Sequence, residues 1–283
     1  MATLNKTKDG ICEISFVISW ADIKAEYDKV VDETVKKSTL PGFRQGKAPR
    51  KIVEDGLDKS KVYEEVIKNL IPKMYDTAVS DLELRPIMLP KIELKEAEEN
   101  KDWTIIARTC EKPDVKLVDY KEKVHEVNAG KSKKIWVPGQ EKDDKDSKDV
   151  KPSLDEILEA VFSGVKCELP QILVDEEVNH MLADLIDQTK KLGLTVDQYL
   201  SSTKRNSDSI KAEYTSQAQK TLTMEFALEA IADSEKITVA DEDIQKAIDS
   251  GKTPAEKEAM SKQKYYIASI LRRRKTVDFL TTL

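Results

Sequence analysis

Histidine, cysteine, glycine and aromatic residues are all scarce in this chain, and their scarcity closes off several classes of function. The two histidines, His125 and His180, fall in different halves and sit in no H-E-x-x-H pattern, so a histidine-based metal site or triad has little to be built from. Cys12, Cys110 and Cys167 are odd in number and widely spaced without a C-x-x-C, which points to buried structural thiols rather than a disulfide framework or a zinc site. No G-x-x-x-x-G-K-[ST] loop is present, so no nucleotide or other cofactor is expected. No apolar run approaches the roughly 18 residues of a membrane span, and the opening MATLNKTKDG has no apolar targeting core. A cytoplasmic protein with no membrane partner is the expectation. A net charge of -6 excludes bulk attraction to nucleic acid, DNA included, so any contact with RNA has to be local.

What the chain does have is charge, at 35% of its 283 residues, and helical patterning. The length suits two domains, and the composition reads as largely helical with much exposed surface. Residues 1–118 read as an α+β domain. A strand with Ile14, Phe16 and Ile18 alternating runs into a long helix through Ile23, Tyr27, Val30, Val31 and Val35. A short helix in RKIVEDGL follows, then a long one over 62–82, then two strands around a polar turn at Asn100. Residues 119–152 read as a charged, solvated linker, in which KIWVPG could add a short strand. Residues 153–283 read as all-α, without strands. Capping boxes at Ser153/Glu156 and Thr195/Gln198 mark helix starts, a helix from Pro170 closes at Gly193, another spans 207–234, and Thr253-Pro254 opens the final helix.

Between residues 34 and 53 the charge pattern breaks, with six Lys or Arg and no acidic residue, around the stretch LPGFRQGKAPRK. Gly42 and Gly46 permit a tight turn, and Pro41 and Pro49 stiffen its ends. A loop between two helices projects, and Phe43 beside Arg44 and Lys47 would offer an apolar anchor next to phosphate-competent charges.

Residues 42–49 match the G-F-R-x-G-K-x-P signature of the trigger factor family of ribosome-associated chaperones. The strand and long helix before it and KIVEDGL after it resemble that family's ribosome-binding domain. LPQILVDEEVNHMLADL, GLTVDQYL and LEAIADSEKITVADEDI resemble its substrate-binding domain. The resemblance implies an ATP-independent chaperone that docks near the exit tunnel of the large ribosomal subunit, on protein and rRNA, and shelters nascent or unfolded polypeptides. It implies Gly42, Phe43, Arg44, Gly46, Lys47 and Pro49 as the docking residues. Val178, Met181, Leu185, Leu222 and Phe226 are the candidate client contacts on helical apolar stripes. The family's FKBP-like prolyl isomerase domain has no room in residues 119–152, so no enzyme activity is expected. Ala240 stands where the family often has Thr, which leaves Asp241 or Thr238 to cap the following helix. The segment DSGKTPAEKEAM is short beside the family's helical arm. The alternative reading is a helical adaptor that docks on ribosomes or one folded partner without chaperone activity. RRRK at 272–275 could touch RNA, although consecutive arginines on a helix usually form a solvated face.

Overall fold

The computed structural model describes residues 2–7, 9–39, 41–130 and 152–283. They divide into two compact units, one of Met1–Lys112 with Pro170–Leu173 and one of Pro113–Leu169 with Val174–Leu283.

The first unit runs β1 (Thr3–Lys6), β2 (Ile11–Ile18), α1 (Trp20–Lys37), α2 (Arg50–Asp55), α3 (Lys59–Asp81), β3 (Lys91–Glu96) and β4 (Trp103–Cys110). The four strands form an antiparallel sheet in the order β1-β2-β4-β3. Period two in β2 sends Cys12, Ile14, Phe16 and Ile18 to one face, where the register sets them beside Thr109, Ala107, Ile105 and Trp103 of β4. Ile23 of α1 and Val66, Ile71, Tyr75 and Ala78 of α3 close over that face. Each fully buried aliphatic side chain contributes roughly 1.5–3 kcal/mol, which makes this layer the main source of the unit's stability. Ser19 starts α1 by accepting the Asp22 N–H, and Lys36 and Lys37 in its last turn suit the helix dipole. The element order is the expected one, with β1 added at the edge. Its sequence TLNK is too polar to show an alternating pattern, and backbone pairing to β2 holds it.

The second unit contains β5 (Val115–Leu117), α4 (Tyr120–Gly130), α5 (Leu154–Ser163), β6 (Val165–Cys167) and, from Val174 onward, α6 (Gln171–Lys191). It continues with α7 (Val196–Thr203), α8 (Ser207–Ser234), α9 (Asp241–Asp249), α10 (Pro254–Lys262) and α11 (Lys264–Thr282). The capping boxes at Ser153, Thr195 and Thr253 all form, as does one at Asn206 that the sequence reading did not single out.

Four expectations are corrected here. The linker reading fails over its described part, because α4 packs on α5 and buries Tyr120 and Val124 in a core with Ile157, Val161, Ile231 and Leu280. Its apolar stripe is narrow, with Tyr120, Val124 and Val127 set among charges, and so reads as solvated; KIWVPG lies outside the described residues. This half is also not free of strands. β5 pairs antiparallel with β6, and three-residue strands carry too little pattern to be read from sequence. Helix α9 starts at Ala240 with no side-chain cap, so neither Asp241 nor Thr238 supplies one. Thr253 opens α10 rather than the final helix, which restarts after Gln263.

Candidate functional site

The basic stretch forms the connection between α1 and α2. Ser38 ends α1 in an extended conformation while its N–H still reaches back to Thr34 O at 2.8 Å. The chain then turns out and returns, and Gly46 N–H donates to Ser38 O at 3.1 Å, closing the stem. Gly46 has a φ of 74°, and a Cβ placed there would lie 2.8 Å from the Lys36 carbonyl oxygen, so this position demands glycine twice over. Ala48 is buried, and Pro49 leads into α2 as its N-cap residue. Arg50, the first residue of α2, reaches back to α1, pairing with Asp28 and with Asp32 at 3.2 Å, and lies 3.7 Å from Glu54.

Above this anchored stem, residues 41–45 are exposed. Phe43 keeps 40% of its surface in water, although a phenylalanine gains by burial. Arg44 and Lys47 are exposed beside it and have no ion-pair partner among the described residues. The structure thus brings Gly42, Phe43, Arg44, Gly46, Lys47 and Pro49 into one short connection, as the motif's contiguity requires. Sequence reading missed Arg50 as the clamp, because its partners sit far back on another helix. It also missed Ile52, half exposed on α2 beside the loop.

The client candidates fall differently. Val178, Leu185, Leu222 and Phe226 are buried and serve packing, while Met181 is partly exposed. A stripe at helical spacing is the same whether it faces a neighbouring helix or water, so sequence could not separate the two. Among the described residues, the most exposed large apolar ones of this unit are instead Leu192, Tyr265 and Tyr266, with Tyr265 at 95%. A cleft of about 620 Å³ also opens among α5, α8 and α11. Leu158, Met224 and Leu228 line it, and the ion pairs Lys220–Glu159 and Arg273–Glu225 stand at its rim.

In RRRK, Arg272 holds Asp233 and the Ile237 carbonyl, Arg273 holds Glu225 and Lys275 holds Asp243, so three of the four cations brace neighbouring helices. Burial pushes the Cys110 thiol up to about 11 and raises that of Cys12, leaving both protonated at neutral pH. Among the described residues no cluster of His, Cys, Asp and Glu could hold a metal, and no helix is long and apolar enough to cross a membrane.

Two family models match the chain. Bacterial trigger factor protein matches residues 1–135, and the bacterial trigger factor protein C-terminus matches residues 141–282. The second match begins almost where the first ends, so no isomerase domain stands between them in this chain. Trigger factor from Streptococcus mutans serotype c is 38% identical over 122 residues, which are 43% of this chain and 28% of that protein. Trigger factor from Streptococcus pyogenes serotype M5 is 38% identical over 118 residues, 42% of this chain and 28% of that protein. Each match therefore spans less than a third of the relative's length. A solved trigger factor chaperone, described for promiscuous substrate recognition in folding and assembly, superposes with a TM-score of 0.59 over 99% of each chain. At 12% identity, that likeness speaks for the fold alone. With its C-terminal model covering half of the sequence and its N-terminal model most of the remainder, the chain belongs to the bacterial trigger factor family.

Proposed function

We propose that this chain is an ATP-independent cytoplasmic chaperone. It docks on the large ribosomal subunit beside the exit tunnel, on protein and rRNA, through residues 42–49, and shelters nascent or unfolded polypeptides. The observation that carries the docking role is the loop tip, where an exposed phenylalanine and two cations without an ion-pair partner among the described residues stand on a stem tied down to α1. An anchor of this kind next to phosphate-seeking charges suits a surface made of both protein and RNA. Client contact is assigned to the second unit, where Met181, Leu192, Tyr265 and Tyr266 keep apolar surface in water.

The test of docking is co-sedimentation with ribosomes at low and moderate salt. Replacing Phe43, Arg44 and Lys47 together by alanine is expected to remove several kcal/mol of docking, about what a few hot-spot residues carry, and to leave the fold intact. A triple variant that sediments like the wild type sinks the assignment. Suppression of aggregation of several unrelated unfolded clients separates a chaperone from an adaptor, which would protect none.

A further inference from the structure

We infer that Arg50 is a positioning residue of the docking loop, one that acts by clamping the loop's second stem to α1 and presenting Phe43, Arg44 and Lys47 ready-made. This rests on the docking role proposed for residues 42–49.

Arg50 lies outside the Gly42-to-Pro49 motif, and its environment differs from that of the tip cations. Its guanidinium meets Asp28, Asp32 and Glu54, whereas Arg44 and Lys47 meet no carboxylate among the described residues. Asp28 and Asp32 are four residues apart on α1, one helical turn, so both carboxylates face the same way and a single planar fork spans them. A cation surrounded by three carboxylates sends little net field toward a distant polyanion, so steering is a poor use of it. What the geometry offers is a mechanical tie. Among the described residues the stem has two such ties: the backbone bond from Gly46 to Ser38, the residue that caps α1, and the side-chain clamp from Arg50 to α1, with Ala48 buried between them. A loop held in its docking shape loses less conformational entropy when it binds. The clamp is solvent-exposed and contributes little to global stability, so its effect belongs in loop order and in docking rather than in the melting temperature.

The experiment uses the full chain, titrated with purified large ribosomal subunits, with amide exchange at Gly46 followed by NMR. Arg50→Ala is expected to dock about fivefold more weakly and to exchange the Gly46 amide severalfold faster. Arg50→Lys should fall between it and the wild type, since a point charge cannot fork across both carboxylates. The decisive variant is Asp28→Asn with Asp32→Asn. If Arg50 worked by charge, removing two negative groups beside a basic loop would strengthen docking on a polyanionic ribosome. Positioning requires the opposite, weaker docking with faster Gly46 exchange. Docking equal to or stronger than wild type in the double Asn variant overturns the inference, as does unchanged Gly46 exchange in Arg50→Ala. Should the Phe43/Arg44/Lys47 variant dock like wild type, the docking role itself has failed, and Gly46 exchange then decides the clamp alone.

Discussion

Gly42 and Gly46 sit in the same loop with positive φ values of 87° and 74°, yet their surroundings differ. A Cβ at Gly42 meets nothing within 4 Å, while at Gly46 it would press on the Lys36 carbonyl. Gly42→Ala therefore incurs only the left-handed backbone penalty of about 1 kcal/mol. Gly46→Ala must also displace the end of α1, and is expected to cost about 2–3 kcal/mol and to weaken docking more than Gly42→Ala. Urea unfolding midpoints and ribosome co-sedimentation of the two variants check the order; equal effects would mean that the stem contact has no consequence. At this scale the sequence was informative about which residues form the loop, since the motif is contiguous. It was uninformative about which glycine is confined, because Lys36 lies ten positions earlier, at the end of α1.

The helix starts show the same division between local and distant causes. Ser153, Thr195 and Thr253 cap their helices through contacts three residues long, and such contacts are written in the sequence. Helix α9 is the exception, entered at Ala240 without a side-chain acceptor although Asp241, Glu242 and Asp243 already complement its dipole. Ala240→Ser is expected to raise the unfolding free energy by about 1 kcal/mol, measured in urea; no gain would mean that solvent already satisfies the first turn. Helix α4 depends on a distant partner. The Glu235 carboxylate, at the C-terminal end of α8, accepts from Lys121 Nζ at 2.6 Å and from Tyr120 Oη at 2.9 Å. The Lys121 bond first, and the Tyr120 bond second, hold its pKa below the ordinary carboxylate range. A carboxyl depressed in the folded state contributes stability above its unfolded pKa and loses it as pH falls through the folded value. Glu235→Gln should therefore be less stable than wild type at neutral pH, and the gap should close as acidification passes through the depressed folded value. Parallel wild-type and Gln curves across that range would show that this carboxylate is not coupled to folding.

For the molecule as a whole, the second unit's boundary sets what can fold alone. Tyr120 and Val124 belong to its core and β5 pairs with β6, so a fragment of residues 153–283 loses part of its own interior. A fragment of residues 113–283 keeps it. The longer fragment is expected to unfold cooperatively by circular dichroism, and the shorter one to melt broadly and bind a hydrophobic dye; a sharp transition in the shorter one would show that α4 is dispensable. The longer fragment is also the one to titrate with a permanently unfolded, apolar-rich client. Binding there should be weak, because a disordered client loses entropy that modest patches barely offset. It should also tolerate salt, unlike the docking proposed for the loop, whose exposed charges salt would screen.

The sequence by itself determined the order of elements in the first unit apart from the edge strand β1, the helix starts at Ser153, Thr195 and Thr253 in the second, and which residues form the motif loop. Each of these is encoded in residues close together in the chain: alternation in β2, capping boxes, and a motif with the family's spacing. Tertiary structure decided the rest. It turned the described start of a charged linker into a core helix, paired two three-residue strands and buried four of five client candidates. It also bound most of the RRRK cations to acidic partners and clamped Arg50 to α1. In each of these cases the deciding partner lies far away in the chain. Burial and ion pairing are properties of what surrounds a residue in space, and a short, charged or ambiguous stretch says nothing local about that.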